Sequence, residues 1–89
     1  MNVSALDCAL VCVRVERARQ EQLKQSGKFA ATCADDTLSA GQKLAILVEE
    51  VGEVARAICD RDPEHMREEL IQVAAVAVAW VEALSRVEP

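Results

Sequence analysis

Apolar residues recur along the chain at spacings typical of helices and divide it into three segments. The first segment begins near Ser4, which with Asp7 resembles a capping box, and it ends near Ser26, where Gly27 favours a helix stop. Its first half is apolar around almost the whole circumference, whereas residues 14–24 are crowded with charged and amide side chains. We therefore expect the first half to be buried and the second half to reach a polar environment.

The second helical segment follows a connection over residues 27–38, which has no sustained period and is long enough to be functional. Ser39 and Gln42 form another capping-box pair, and the pattern predicts a helix from there to about Cys59. One stripe recurs at core spacing and consists of Leu44, Leu47, Val51, Val54 and Ile58. A second row, about 100° around the axis, consists of Ile46, Glu50, Glu53 and Ala57. Because apolar residues bracket the two glutamates, we expect them on a partly buried surface.

The third segment opens after a tight connection at residues 60–62. Asp62 supplies an N-cap, Pro63 suits the first helical position, and the pattern predicts a helix to about Val87. Trp80 lies in the middle of this helix, and we expect it to anchor the core or an interface.

The apolar pattern of the third helix also indicates that the protein forms an oligomer. Within residues 70–81 only Gln72 is not apolar, so the helix is hydrophobic on all sides and has to be surrounded. Two other helices of one short chain cannot cover it. We therefore predict an all-α fold with three main helices in a single domain, residues 1–89, that forms an obligate homo-oligomer. A homodimer completing a four-helix or larger bundle is the simplest form.

Composition and charge exclude several classes of protein. Hydrophobic residues make up 52% of the 89 residues but aromatic residues only 2%, which suits close helix packing better than a β-sandwich. The net charge of -5 lacks the electrostatic footprint of a nucleic-acid-binding protein. The longest apolar run, residues 73–81, is far short of the roughly 20 residues that cross a bilayer. We expect neither nucleic acid nor membrane as a partner.

The N-terminus and the cysteines indicate a cytoplasmic protein with reduced thiols, because residues 1–13 contain no basic signal region or cleavage site. The cysteines are Cys8, Cys12, Cys33 and Cys59. Cys8 and Cys12 are spaced for half a zinc site, but no CxxC pattern occurs, so we interpret the cysteines as small buried apolar residues. His65, the single histidine, falls in the first turn of the third helix, where we expect a surface or capping role.

Glutamates on the second helix require a positive partner. Glu49, Glu50 and Glu53 place like charges within one turn, which destabilises a helix unless a cation intervenes. Lys43 and Arg56 lie within one to two turns, so side-chain pairing is one solution and a bound divalent cation is the other.

The third helix supplies a matching pair. Glu69 and Gln72 begin a stripe that leads into its buried face, and burying either without a partner costs about 1–3 kcal/mol, more for the charge. Two antiparallel helices that bring Glu50, Glu53 and Glu69 together would form the all-oxygen type of site that Mg²⁺ or Mn²⁺ prefers. The alternative is an ordinary solvated glutamate face.

Two segments resemble the ExxE and ExxD helices of MazG-like nucleoside triphosphate pyrophosphohydrolases, an all-α superfamily. The segments are LVEEVGEVA at residues 47–55 and EELIQV at residues 68–73. Glu50 and Glu53 match the first pair, Glu69 matches the glutamate of the second motif, and Gln72 stands where the family usually has aspartate. Upstream, residues 16–29 are similar to the first-helix segment of the short, single-domain members found in phages and mobile gene cassettes.

The resemblance implies function as well as fold. Members form intertwined homodimers, often paired into homotetramers, and cleave a (d)NTP to the (d)NMP and pyrophosphate as house-cleaning enzymes. The resemblance implies Glu50, Glu53 and Glu69 as catalytic residues. It implies a Mg²⁺ site, with Mn²⁺ as a substitute, at Glu49, Glu50, Glu53, Glu69 and Gln72. It implies substrate binding at Gln20, Lys24 and Lys28. Phe29, the single phenylalanine, lies in the long connection, where it could bind substrate by stacking on a base. Phe29 could instead anchor its loop on the core.

Gln72 departs from the family pattern, because an amide can offer an oxygen to a metal but carries no charge and cannot act as a base. Three consequences are open. Glu49 or Glu68 compensates, or turnover is slow, or the protein is a non-catalytic helical oligomer that binds nucleotides or a protein partner without hydrolysis.

Overall fold

The computed structural model describes residues 2–86 and consists of three helices. They are α1 (Ala5–Gln25), α2 (Ala40–Cys59) and α3 (Pro63–Ser85). No strand occurs within residues 2–86, so the predicted all-α class is confirmed. In the same part of the chain, no helix is long and apolar enough to span a membrane.

Side-chain caps set the beginnings of the first two helices where the sequence predicts them. The Ser4 side chain accepts a hydrogen bond from the Asp7 N–H at 3.0 Å and caps α1. Ser39 and Gln42 form a complete capping box at α2, since each side chain accepts from the other residue's N–H. These bonds satisfy amides that have no partner within the helix.

The helix ends also follow local sequence, with one difference. Gly27 has a φ of 84°, a left-handed conformation that glycine adopts without steric cost, and it follows Ser26, the C-cap of α1. Asp62 caps α3, and Arg61 before it also has a positive φ, 54°. α3 ends at Ser85, earlier than predicted, and Val87 lies outside the described residues.

α3 is the central helix, because it packs against α1 and against α2. The core is small and uses the residues on α3 that permit close approach, together with part of the α1–α2 connection. Its buried members include Cys33, Ala34, Ala75, Val76 and Ala79. Trp80 packs against this core, which confirms its predicted anchoring role.

The connection between α1 and α2 is held to both α1 and α3. The contacts join Thr32 to Glu21, Lys24 to Asp35, and Arg86 to Asp36 and to the Ala34 carbonyl. The connection therefore packs against the helices, and residues 32–34 are buried.

The expectation that the first half of α1 is buried is wrong for the single chain. Its large apolar residues are exposed, namely Leu6, Leu10, Val11 and Val15. Arg17 and Gln20 in the polar half are buried instead. The reason is that Arg17 pairs with Glu82 of α3, which places this part of the polar half of α1 against its neighbour.

Three of the five residues in the predicted core stripe of α2 face outward in one chain. Leu44, Val51 and Ile58 are about half exposed. α2 has a single partner helix, and the row from Ile46 to Ala57, which carries the two glutamates, is the more buried row. The predicted partial burial of this row is confirmed. Of the apolar stripe, Leu47 packs against the core and Val54 is partly buried, whereas the other three residues are half exposed within residues 2–86.

The cysteines form no disulfide within residues 2–86, as expected. Cys33 is buried, but Cys8 and Cys59 are exposed, so the expectation of buried thiols is wrong for those two. Cys8 lies on the largely exposed half of α1, and Cys59 is the last residue of α2.

Candidate functional site

Glu50 of α2 and Glu69 of α3 form the centre of the candidate site. Each carboxylate has one oxygen, Oε2, that is buried and has no hydrogen-bond partner within residues 2–86. A buried polar atom without a partner costs roughly 1–3 kcal/mol, and a charged one costs more. Binding of a cation or a hydrogen-bond donor to these two oxygens would therefore be favourable.

The electrostatics of the site disfavour the charged form of Glu50. Burial raises the pKa of Glu50, and the negative charges of Glu69, Glu49, Glu53 and Glu16 raise it further. The helix pair thus concentrates negative charge that the site itself does not neutralise.

The two predicted side-chain cations do not relieve this repulsion. Lys43 is only 5% exposed, yet neither it nor Arg56 forms an ion pair in the part of the chain that the structure describes. Arg19 is bound to Glu16 at 2.8 and 2.9 Å, and hydrogen bonds to Glu16, followed by the charge of Glu50, raise the pKa of Arg19. Of the two sequence-based solutions, side-chain pairing by Lys43 or Arg56 is absent from residues 2–86.

An open cleft of about 220 Å³ lies beside Glu50 and receives residues from all three helices and the connection. Four predicted site residues line it, namely Gln20, Phe29, Glu50 and Gln72. Arg19 and Thr32 also line the cleft. The fold thus brings predicted substrate-binding and metal-binding residues to one place from distant parts of the sequence.

The other predicted site residues, including Glu69, do not line this cleft. Lys24 is paired with Asp35 and helps to hold the connection, and Lys28 is exposed. Glu49 is exposed on α2, and Glu53 is half-buried one turn beyond Glu50. No three His, Cys, Asp or Glu side chains within residues 2–86 are arranged as a group that could hold a metal ion.

His65 is a site residue that the sequence reasoning missed. Its ring Nε2 lies 3.0 Å from Glu69 Oε1, on the carboxylate whose other oxygen has no partner. The backbone N–H of His65 also donates to the Asp62 cap at 3.1 Å, so the predicted capping position is confirmed. The spacing of four residues between His65 and Glu69 is the signal that could have identified the contact.

A polar network on α1 and α3 holds Gln20, the one member of this network that lines the cleft, and includes the buried Arg17 and the half-exposed Glu82. Arg17 donates from Nε and Nη2 to Glu82 of α3 at 2.6 and 3.2 Å, and from Nη1 to Gln20 Oε1 at 3.1 Å. Sequence places Arg17 in the polar half of α1 but gives no signal for this contact, because Glu82 lies 65 residues away.

The fold and the site define a small all-α protein with a carboxylate-rich helix pair. The family model of the MazG nucleotide pyrophosphohydrolase domain matches residues 39–86, more than half of the 89 residues. The chain therefore belongs to the MazG nucleotide pyrophosphohydrolase family, as its motifs suggest. The match covers α2 and α3 with their glutamates and leaves out α1. No curated protein and no solved structure gives a match to the chain.

Proposed function

We propose that this protein is a Mg²⁺-dependent pyrophosphohydrolase that cleaves a (d)NTP to the (d)NMP and pyrophosphate, with a house-cleaning role. Membership of the family supports the class of reaction. The observation that carries the proposal is a pair of buried oxygens, one on Glu50 and one on Glu69, that have no partner within residues 2–86. Glu50 lines the cleft together with Gln20 and Phe29. We also propose that residues 1–89 are one MazG-like domain, which acts in the cytoplasm where nucleoside triphosphates are made.

The residues present fit a hard divalent cation. Carboxylate and amide oxygens are its preferred ligands, and two such oxygens are buried here with no other partner. Glu50 and Glu69 would hold the ion through these two oxygens. Gln72, Glu53 and Glu49 are the further ligands that the family motif implies, and adding Glu53 or Glu49 as a third carboxylate requires a shift of its side chain. When bound, Mg²⁺ would neutralise phosphate charge and polarise the phosphoryl group.

The side chains of the chain have separate roles in this proposal. Glu50, Glu53 and Glu69 are the catalytic carboxylates, and their burial on two packed helices keeps them in place. Gln20 and Phe29 bind the nucleoside in the cleft. Lys24 and Lys28, at the far end of α1 and in the connection, remain candidates for binding the phosphates, and for Lys24 this requires release from Asp35.

We propose that the protein acts as a homodimer, which two copies can extend to a homotetramer. Twelve of the exposed large apolar residues lie on the three helices. They are Leu6, Leu10, Val11 and Val15 of α1; Leu44, Val48, Val51 and Ile58 of α2; and Leu70, Val78, Val81 and Leu84 of α3. A lone domain rarely exposes so much apolar surface, and a second copy brings surfaces of the same character.

The second candidate is a non-catalytic helical oligomer that binds nucleotides or a protein partner. The neutral amide of Gln72 supports it, because this side chain lines the cleft where the family pattern has a carboxylate. In this case hydrolysis has been lost at Gln72 while the cleft remains.

The two functions are separated by an assay for released pyrophosphate and monophosphate. The native protein is tested against the canonical dNTPs and NTPs with Mg²⁺, with Mn²⁺ and with chelator, beside Glu50→Gln, Glu53→Gln and Gln72→Asp. Metal-dependent release by the native protein that is lost in the two glutamine variants, with the oligomer still folded, supports the enzyme. No release from the native protein but release from Gln72→Asp supports the binding protein. No release from either contradicts the assigned site.

A further inference from the structure

The amide of Gln20 has a fixed orientation in the cleft. Gln20 is only 8% exposed, and its Oε1 accepts a hydrogen bond from Arg17 Nη1 at 3.1 Å. A guanidinium group can only donate hydrogen bonds, so the amide oxygen and not the NH₂ group has to face Arg17.

Arg17 is itself held too firmly to release the amide. Its Nε and Nη2 donate to the two carboxylate oxygens of Glu82, and Nη1 also donates to Glu21 at 3.2 Å. Paired donors of this kind combine charge with a defined geometry. Reversing the Gln20 amide would place its NH₂ group against a buried cation that has no acceptor to offer.

In this orientation, the NH₂ group of Gln20 faces the cleft. Gln20 lines the cleft, and its Nε2 has no hydrogen-bond partner within residues 2–86. The neighbouring Thr32 hydroxyl donates its proton to Glu21 at 2.7 Å and accepts from the Ala34 N–H at 3.3 Å, so it has no donor left. Gln20 therefore presents a hydrogen-bond donor to whatever binds beside it.

We propose that Gln20 determines base specificity by donating a hydrogen bond to an acceptor atom on the nucleotide base, with Arg17 and Glu82 as positioning residues. This inference rests on the proposed function, in which the cleft binds the nucleoside. The acceptor is a carbonyl oxygen or an unprotonated ring nitrogen. A base that presents an amino group at this point is rejected, because two donors then face each other without an acceptor.

The test compares nucleotides that differ in one acceptor, such as a purine nucleotide and its deaza analogues, in which a ring nitrogen is replaced by C–H. Affinity is measured by calorimetry, and kcat and KM by product release, for the native protein and Gln20→Met. We expect the native protein to prefer the acceptor-bearing member of at least one pair by about tenfold, equivalent to about 1.4 kcal/mol. Gln20→Met should lose this preference, since methionine has similar length but no donor.

Two further variants separate specificity from folding. Gln20→Glu still accepts from Arg17 and should unfold within a few degrees of the native protein, but it has no donor and should also lose the preference. Gln22→Met, at an exposed glutamine on the same helix, should keep it.

The outcomes distinguish failure of this inference from failure of the proposed function. If the native protein binds or hydrolyses nucleotides but treats every pair alike, or if Gln20→Met keeps the preference, the role of Gln20 is wrong. If the folded native protein neither binds nor hydrolyses any nucleotide, the proposed function fails, and the inference that depends on it fails as well.

Discussion

Replacing Glu50 with glutamine should change stability in opposite directions with and without a divalent metal. In the metal-free protein, Glu50 has a buried oxygen without a partner and lies among the negative charges of Glu69, Glu49 and Glu53. Neutralising it removes the charge repulsion and reduces the cost of burial, because a neutral amide is less costly to bury than a carboxylate. With metal present, the same substitution removes a ligand, so the native protein should become the more stable of the two.

The expected size of each effect follows from the burial of the side chain. An unsatisfied buried group costs about 1–3 kcal/mol, and because Glu50 is only partly buried we expect the lower end, about 1 kcal/mol, after solvent screening. For a chain of this size, that corresponds to an increase of about 4–8 °C in Tm. A metal at about 100 times its Kd should stabilise the native protein by about 2.7 kcal/mol.

The measurement is thermal unfolding in chelator and in Mg²⁺ or Mn²⁺, with the protein concentration kept equal because an oligomer unfolds in a concentration-dependent way. Asp60→Asn is the matched control, since it removes one negative charge from an exposed position at the end of α2. Its Tm should change little under either condition.

The pH dependence provides an independent check. A carboxyl group whose pKa is raised by folding contributes its stability below its unfolded pKa, and this contribution is lost as the pH rises through the folded pKa. Because the pKa of Glu50 is raised from 4.5, the advantage of Glu50→Gln in chelator should vanish in acid and grow as the pH rises. A variant less stable than the native protein in chelator at neutral pH, or equal stabilisation of both by metal, would refute the reasoning.

Three other substitutions test separate parts of the proposal. His65→Ala should weaken Mn²⁺ binding about 10–100-fold, as measured by calorimetry, because it removes the hydrogen bond that orients Glu69, and unchanged affinity would show that the contact is incidental. Val51→Asp should dissociate the oligomer by placing a charge on the uncovered stripe of α2, and light scattering that gives the same mass as for the native protein would exclude this stripe from the interface. Gln72→Asp should raise both metal affinity and pyrophosphate release, since a carboxylate adds a charged ligand, and lower affinity in titrations would argue against Gln72 as a ligand position.

The sequence determined the helices of this protein because their signals are local. Ser4, Ser39 and Asp62 each cap a helix three residues or fewer from the amide they bind, and Gly27 supplies the conformation that ends α1. Motif spacing on α2 and α3 was likewise sufficient to identify the family. Caps and motif spacings each span about one helical turn, so they can be identified in the sequence without knowledge of the fold.

Sequence periodicity was a poorer guide to burial. The apolar stripe of α2 and the apolar half of α1 both indicate a buried surface, yet most of their large apolar residues are exposed in one chain. Periodicity shows that a face avoids water but not which element covers it. In the proposed homodimer, the partner of these faces belongs to a second copy, which a pattern in one chain cannot distinguish from an internal neighbour.

Only the tertiary structure decided how the cleft is built. The contact of Arg17 with Glu82 spans 65 positions, and it fixes the direction in which the Gln20 amide donates. The same packing buries one oxygen each of Glu50 and Glu69 without a partner. The sequence was sufficient to predict the helices and the residues that share a helix face, because both depend on neighbours within a turn. Three properties of the site depend on which helices pack together: desolvation, charge repulsion between helices and the orientation of an amide. These contacts between helices form only in the folded chain.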